Sequence, residues 1–167
     1  MPDPIIVTAL FGPGDFVWLD ELRRRHYPAG RNRVPAHLTL FHHLAPDLAA
    51  ELRQRLTAAT RGQPAPRAWI AGVLDMGGGV ALRVESPDLE VIRGDLAEAF
   101  GAMLIPQDRA SWRPHITIQN KVAPAEGRLF CTQLTAEIPR RPLVIKGLAA
   151  WHYRGGPWEP LTRHMFA

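Results

Sequence analysis

The sequence contains two short motifs of the form histidine-apolar-threonine-apolar, one in each half of the chain. The first begins at His37, with Thr39 two positions later, and the second begins at His115, with Thr117 two positions later. In an extended strand successive side chains point to opposite faces, so each histidine shares a face with its threonine. The pattern predicts two strands that each present an imidazole and a hydroxyl on one surface and apolar side chains on the other.

Two imidazoles that face each other suit hydrolysis or transesterification at phosphorus. One ring can take a proton from the attacking oxygen and the other can give a proton to the leaving oxygen, because the ordinary histidine pKa of about 6.5 lets both protonation states exist near neutrality. The hydroxyls of Thr39 and Thr117 could donate to non-bridging phosphate oxygens. We therefore predict a catalytic site of His37 and His115 that needs no metal or other cofactor. The alternative for either motif alone is a half-buried polar pair with a structural role.

Three further residues are candidates for substrate contacts. Arg113 precedes His115 by two positions and would share its face if the strand extends back past Pro114, so that its guanidinium could contact phosphate. Phe41 falls on the predicted groove face and could stack on a base; a place in the core is the alternative. Tyr153, in the aromatic segment 151–158, could reach the cleft or could pack that segment against a lobe.

A metal site at the first motif is excluded by spacing. On a strand that rises about 3.3 Å per residue, His37 and His43 lie roughly 20 Å apart and cannot chelate one ion. The same alternation predicts that His43, and not His42, shares the groove face with Phe41. The single cysteine, Cys131, excludes an internal disulfide and a cysteine-based metal site.

The elements that position these residues follow from the spacing of apolar residues. Glycine-proline and glycine-glycine segments separate them, and Gly77-Gly78 predicts a hairpin. Asp15, Asp47 and Asp88 are predicted to begin helices. The predicted strands are 5–11, 36–44, 67–76, 79–85, 115–122, 143–153 and 158–166, and the predicted helices are 15–27, 47–62, 88–100 and a weak helix or loop over 124–136.

The order of these elements predicts the fold class. Strands and helices mix without strict alternation, which favours an α+β fold with substantial antiparallel pairing. Residues 5–62 follow the order strand, helix, strand, helix, and residues 79–136 repeat it. We predict two pseudo-twofold-related lobes, each a mostly antiparallel sheet with helices on its outer face. The active-site cleft lies between the lobes, and residues 1–167 form a single domain.

The composition is that of a globular protein with a basic character. Twenty Lys+Arg against sixteen Asp+Glu give a net charge of +4, and most of the basic residues are arginine, whose planar guanidinium suits phosphate. Arginine richness that reflects genomic base composition is the alternative. A cluster ahead of the first motif predicts a basic surface that attracts phosphate. The cluster is Arg23, Arg24, Arg25, His26, Arg31 and Arg33.

Neither a membrane span nor a secretory signal is predicted. No run approaches the roughly 20 apolar residues that a membrane span requires. The first residues carry no basic segment, and the apolar run that follows is too short for a signal peptide. We expect a cytoplasmic monomer that makes no contact with membranes.

Two His-x-Thr motifs in repeated halves of a chain of this size resemble the 2H phosphoesterase superfamily over most of its length in element order. Within it, the chain is similar to the family of 2′-5′ RNA ligases and RNA 2′,3′-cyclic phosphodiesterases. The resemblance implies a bilobal α+β fold with both motifs in a central cleft, no metal cofactor, and an RNA or nucleotide partner that carries a cyclic or 2′-linked phosphate. It also implies that His37 protonates the leaving group, that His115 activates water, and that Thr39 and Thr117 hold the phosphate.

The residues after both motifs depart from the family pattern. Phe41-His42-His43-Leu44 stand where that branch tends to have Phe-Leu-Gly, and Gln119-Asn120-Lys121 stand where it usually has a small residue and an arginine. Two alternatives to the RNA enzyme therefore stay open. One is a non-catalytic module that binds RNA ends or phosphorylated nucleotides. The other is an enzyme for a small cyclic phosphate, such as a cyclic ADP-ribose phosphate.

Overall fold

The computed structural model describes residues 3–167, and in this part the chain forms seven strands and five α-helices. Residues 1 and 2, the start of the segment considered for a signal, lie outside it. The strands are β1 (Ile5–Phe11), β2 (Leu38–Leu44), β3 (Arg67–Asp75), β4 (Val80–Glu85), β5 (His115–Gln119), β6 (Arg141–His152) and β7 (Glu159–Met165). The helices are α1 (Pro13–His26), α2 (Ala49–Thr60), α3 (Pro87–Phe100), α4 (Pro106–Arg109) and α5 (Pro124–Glu137). The predicted α+β class is confirmed.

The strands form one antiparallel sheet whose order mirrors itself. Within residues 3–167 the order is β2-β1-β6-β3-β4-β5, and β7 pairs with β6. The three strands on one side of this order, β2-β1-β6, therefore correspond to the three on the other side, β5-β4-β3. Strand β6 joins the two sides, because residues 141–144 pair with β3 and residues 145–152 pair with β1. This order fits the two related lobes predicted from the repeated elements.

The apolar positions of both motifs lie in the core. Leu38 and Leu40 of β2 and Ile116 and Ile118 of β5 are each fully buried. Burying a side chain of this size stabilises the fold by about 1.5–3 kcal/mol. The motif strands are thus held by one face, which leaves the histidines and threonines on the other.

Four of the helices begin with proline, at Pro13, Pro87, Pro106 and Pro124. Proline suits the first helical position because its ring fixes φ near the helical value and its missing N–H has no partner there. Such a start explains why segment 124–136, predicted as a weak helix or loop, is a full helix in which Phe130 is buried. No helix in residues 3–167 has the length and apolar character needed to cross a membrane.

None of the three aspartates predicted to begin helices is the cap residue of its helix; that of α2 is Leu48 and not Asp47. The carboxylate of Asp15 accepts a hydrogen bond of 2.8 Å from the backbone N–H of Val144, so it ties α1 to β6 and does not cap its own helix. Helix α3 is capped by Ser86, whose hydroxyl accepts from the N–H of Leu89, while Asp88 accepts from a backbone N–H of β3. A hydroxyl or carboxylate near a helix start has several competing donors, and spacing alone does not choose among them.

Strand β2 contains a β-bulge that reverses the predicted alternation. Leu40 and Phe41 together oppose the single β1 residue Val7, and both are fully buried. An extra residue in one strand moves the next side chains to the opposite face, until a second irregularity between Val7 and Ile5 returns Leu44 to the core. His42 therefore falls on the face of Thr39, where the uninterrupted pattern placed His43.

The hairpin between β3 and β4 turns at the predicted glycines. Gly77 has a φ of +85°, which glycine adopts without steric cost, and its N–H donates 2.9 Å to the side chain of Asp75. Gly79 then lies so close to β5 that a Cβ atom would stand 2.0 Å from the carbonyl oxygen of Gln119. The turn thus lets β4 approach β5, the strand that carries the second motif.

Candidate active site

The two motifs lie on the strands at the two ends of the sheet order. His37 comes immediately before β2, while His115 and Thr117 are the first and third residues of β5. These end strands contact each other, so the sheet curls round to bring them together. The side chains of all four motif residues line one cleft of about 320 Å³.

The two imidazoles are held in the same way. Nδ1 of His37 lies 2.9 Å from the carbonyl oxygen of Pro35, and Nδ1 of His115 lies 2.7 Å from the carbonyl oxygen of Arg113. A carbonyl oxygen only accepts, so Nδ1 carries the hydrogen in both rings. Each ring therefore has a free Nε2, which is the atom that can exchange a proton with a substrate.

The ring of His37 is desolvated by an aromatic neighbour. Trp158, which precedes β7, meets it edge to face with ring centroids 4.7 Å apart. Burial lowers the pKa of His37 to about 4; the hydrogen bond to Pro35 opposes this, and the charges of Arg23, His115 and His42 add to it. The His37 ring is therefore neutral at pH 7.

Each motif is also held by a side chain from the other half of the chain. Trp112, just before β5, donates from Nε1 to the carbonyl oxygen of Thr39 at 3.0 Å. Arg23 of α1 donates to the carbonyl oxygen of Thr117 at 2.9 Å. Both carbonyls belong to end strands, which leave backbone groups unpaired. The two bonds satisfy these groups and fix β2 and β5 relative to each other.

The prediction that Arg23 forms part of the basic surface ahead of the first motif is wrong. Only 3% of it is exposed, because it also donates to Asn32 and its guanidinium lies 4.2 Å from the ring centre of Tyr27. Its neighbour Arg24 has a side chain that is 63% exposed. The cluster is therefore divided between a buried structural cation and solvent-exposed arginines.

The other predicted contacts have mixed outcomes. Arg113 lines the cleft beside His115. The stacking role predicted for Phe41 is wrong, because the bulge turns this ring into the core, where it meets Phe100 edge to face at 6.4 Å. Tyr153 is 45% exposed and stands outside the group of residues that line the cleft.

Several cleft residues were not predicted. They are Ile6, His42, Arg93, Gln107, Asp108, Ser111, Trp112 and Trp158. His42 carried a signal, since it stands where the family pattern has an apolar residue. Trp158 belongs to the aromatic segment 151–158, in which Tyr153 is the predicted cleft residue. The sequence does not show which aromatic ring of a turn points inward.

A second cavity of about 430 Å³ adjoins the cleft and shares His37 and Trp158 with it. Its walls are mostly apolar and include Leu10 and Val17, with Lys146, Arg33 and Arg163 also lining it. The ring of His37 thus borders two spaces, one polar and one apolar.

No metal cluster is formed by the described residues. Within residues 3–167 no three histidine, cysteine or acidic side chains come together in an arrangement that could hold an ion. His42 lies in the cleft, but its Nδ1 is directed at Asp108.

A curled antiparallel sheet that brings two His-x-Thr motifs to one cleft has the architecture of the 2H phosphoesterases. The sequence model of the 2′-5′ RNA ligase superfamily matches residues 12–157, and the chain belongs to that superfamily. The resemblance drawn from the two motifs is confirmed. A comparison with curated proteins found no match.

Solved structures share this fold at low sequence identity. TT0787 of Thermus thermophilus superposes with a TM-score of 0.65 at 18% identity, covering 98% of this chain and 97% of that chain. E. coli LigT complexed with 3′-AMP gives a TM-score of 0.62 at 16% identity, covering 100% and 99%. A structure described as a phosphoesterase gives a TM-score of 0.57 at 18% identity, covering 99% of both chains.

Proposed function

We propose that this protein opens the 2′,3′-cyclic phosphate of an RNA end or nucleotide, or cleaves or joins a 2′-5′ phosphodiester, with His37 and His115 as acid and base. The observation that supports this most directly is the shared orientation of the two imidazoles. Each has its Nδ1 hydrogen bonded to a carbonyl and its Nε2 free at a common cleft. Acid–base catalysis by two such groups needs no metal ion.

The reaction divides the proton transfers between the two rings. His115 takes a proton from water as the water oxygen forms a bond to phosphorus, and His37 gives a proton to the ribose oxygen as its bond to phosphorus breaks. The lowered pKa of His37 leaves this ring neutral at pH 7 before the substrate binds. Its role as donor therefore requires proton uptake with the substrate, because the negative phosphate stabilises the imidazolium.

The threonines and Arg113 stabilise the charge on phosphorus. Thr39 and Thr117 lie on the cleft face with their histidines, where their hydroxyls donate to the non-bridging oxygens. Their backbones are fixed by Trp112 and Arg23, so the hydroxyls are already in position when charge develops. Arg113 adds a guanidinium that can pair with a phosphate oxygen.

The nucleoside part of the substrate occupies the apolar cavity beside His37. This cavity shares His37 and Trp158 with the cleft, and Leu10 and Val17 give it walls that suit a planar base. It takes the place of the stacking site that Phe41 does not provide. The similar fold of LigT has been solved with 3′-AMP, ATP and NADP+, which supports a nucleotide as the ligand class.

The test is hydrolysis of nucleoside 2′,3′-cyclic phosphates with EDTA present. We expect turnover by the wild-type protein and a loss of at least about 100-fold in kcat in each of His37→Ala and His115→Ala. His43→Ala is a matched control, because its exposed side chain lies outside the cleft. Unchanged activity in either motif variant would refute the assignment. Tight nucleotide binding without turnover over a broad substrate panel would favour the binding module.

A further inference from the structure

His42 is a third imidazole in the cleft, and its surroundings differ from those of the motif histidines. The bulge in β2 turns its side chain, which is 40% exposed, to the cleft face. Its Nδ1 lies 3.0 Å from a carboxylate oxygen of Asp108, whereas the motif histidines face backbone carbonyls. An ionised carboxylate only accepts, so Nδ1 carries the hydrogen and Nε2 is the free edge of the ring.

Asp108 is fully buried and is kept ionised by its neighbours. Its carboxylate accepts from the backbone N–H groups of His42, at 2.9 Å, and His43, at 3.0 Å, as well as from the His42 ring. Desolvation is the largest influence and opposes ionisation, but these hydrogen bonds outweigh it and lower the pKa of Asp108. A carboxylate behind an imidazole holds the ring in one tautomer and one orientation.

Arg93 fixes this pair within the fold. Its guanidinium donates to the backbone carbonyls of Asp108, at 2.7 Å, and Leu40, at 3.1 Å, and it lies 4.4 Å from the ring centre of Phe41. Since Arg93 is only 7% exposed, a buried cation holds α4 against β2. The position of the His42 ring is therefore set by the core and not by a surface loop.

The wall beside His42 offers hydrogen-bond donors and no free carboxylate. Gln107 and Ser111 line it, and Asp108 is the sole acidic residue among the described residues that line the cleft. Both of its oxygens already accept from residues 42 and 43. A surface with donors and without a free carboxylate attracts an anionic group.

We propose that His42, backed by Asp108 and assisted by Gln107 and Ser111, binds a second phosphate of the substrate, attached to the 5′ oxygen of the nucleotide that carries the cyclic phosphate. The inference rests on the proposed function, in which the motif residues hold the reacting phosphate and leave the free Nε2 of His42 for another anionic group. The 5′ phosphate is a terminal monoester in a mononucleotide and an internucleotide diester in an oligonucleotide. Both present anionic non-bridging oxygens to the imidazole, three in the monoester and two in the diester.

Kinetics on three matched substrates tests this subsite. They are adenosine 2′,3′-cyclic phosphate, its 5′-phosphorylated form, and a dinucleotide that ends in the same cyclic phosphate. His42→Gln keeps a hydrogen-bonding side chain but cannot become charged. We expect it to lose at least about tenfold in kcat/KM on the two substrates with a second phosphate, through KM, and about twofold or less on the first. The relative size of the two losses tells the monoester from the diester.

His43→Gln is the matched control, because it alters the adjacent exposed histidine while Asp108 keeps its backbone partners. It should match the wild-type protein on all three substrates. An equal loss on all three in His42→Gln would overturn the inference in favour of a role at the reacting phosphate. No loss on any of them would also overturn it.

Binding without turnover separates this inference from the proposed function. Calorimetry with adenosine 3′-monophosphate and adenosine 3′,5′-bisphosphate should show that the wild-type protein binds the bisphosphate at least about tenfold more tightly and that His42→Gln binds both equally. If no cyclic phosphate is hydrolysed but this preference is present and lost in the variant, the proposed function fails and the subsite stands. If hydrolysis occurs and the wild-type protein binds both nucleotides equally, the subsite alone fails.

Discussion

The guanidinium of Arg23 donates a 2.9 Å hydrogen bond to the carbonyl oxygen of Thr117, a residue 94 positions further along the chain. Through this bond a helix of the first half holds the strand that carries the second motif. The indole of Trp112 makes the reciprocal contact with the carbonyl of Thr39. These two side chains thus fix the relative position of the motif strands on either side of the cleft, from behind the reacting groups.

Replacing Arg23 should destabilise the protein and displace the second motif. Arg23→Met keeps much of the apolar stem but leaves the carbonyl of Thr117 and the side chain of Asn32 without their donor, at a cost of about 2–4 kcal/mol. Urea unfolding followed by tryptophan fluorescence measures this loss. Arg24→Met is the matched control: its exposed ion pair with Asp20 contributes about 0–1 kcal/mol. Equal midpoints for the two variants would show that the crossing bond contributes little.

Stability should depend on pH through His37. Its folded pKa of about 4 lies below the unfolded value of about 6.5, so between these values the unfolded chain binds a proton that the native protein does not. The free energy of unfolding therefore falls as pH falls through this window, by up to about 3 kcal/mol from this residue. In His37→Gln this contribution is absent. Urea unfolding at pH 7, 5.5 and 4.5 should give a flatter profile for the variant, and parallel profiles would contradict the prediction.

Filling the apolar cavity should weaken nucleoside recognition without affecting the chemistry. Val17 lines this cavity from α1 and is 54% exposed, so Val17→Trp can fold and occupy the space. We expect KM for a nucleoside 2′,3′-cyclic phosphate to rise at least about tenfold, while a ribose cyclic phosphate that lacks a base is hydrolysed as before. Val91→Trp makes the same exchange at an exposed site on α3 and controls for the added indole. A parallel rise in KM for both substrates would place the base elsewhere.

The sequence predicted secondary structure best where a continuous run of apolar residues lies between proline or glycine residues. Strand β1 was predicted at 5–11 and is observed at Ile5–Phe11, because its apolar run lies between Pro4 and Gly12. The repeated elements predicted two related lobes, which the mirrored strand order fits, and the two His-x-Thr motifs predicted the family. These are local patterns, and the spacing of side chains along one strand or helix determines them.

The features that were missed depend on contacts between distant segments. Leu38, Leu40 and Phe41 are all apolar. The alternation of apolar and polar residues therefore does not show where the bulge falls or that His42 faces the cleft. Arg23 looked like its neighbours because its acceptor lies in the other half of the chain. Tertiary pairing decides both outcomes, and it leaves no trace in the local sequence.

The mirrored strand order has a consequence for the direction of the reaction. Two equivalent imidazoles on equivalent strands would let water and leaving oxygen exchange places, so a symmetric site would not distinguish the 2′ from the 3′ oxygen. This site is unequal: Trp158 packs on His37, and His42 follows the bulge of β2 where Asn120 follows the equivalent bulge of β5. Under the proposed function, we expect residues outside the two motifs to control the regiochemistry of ring opening, which makes them the positions to exchange when a variant with the opposite product preference is designed.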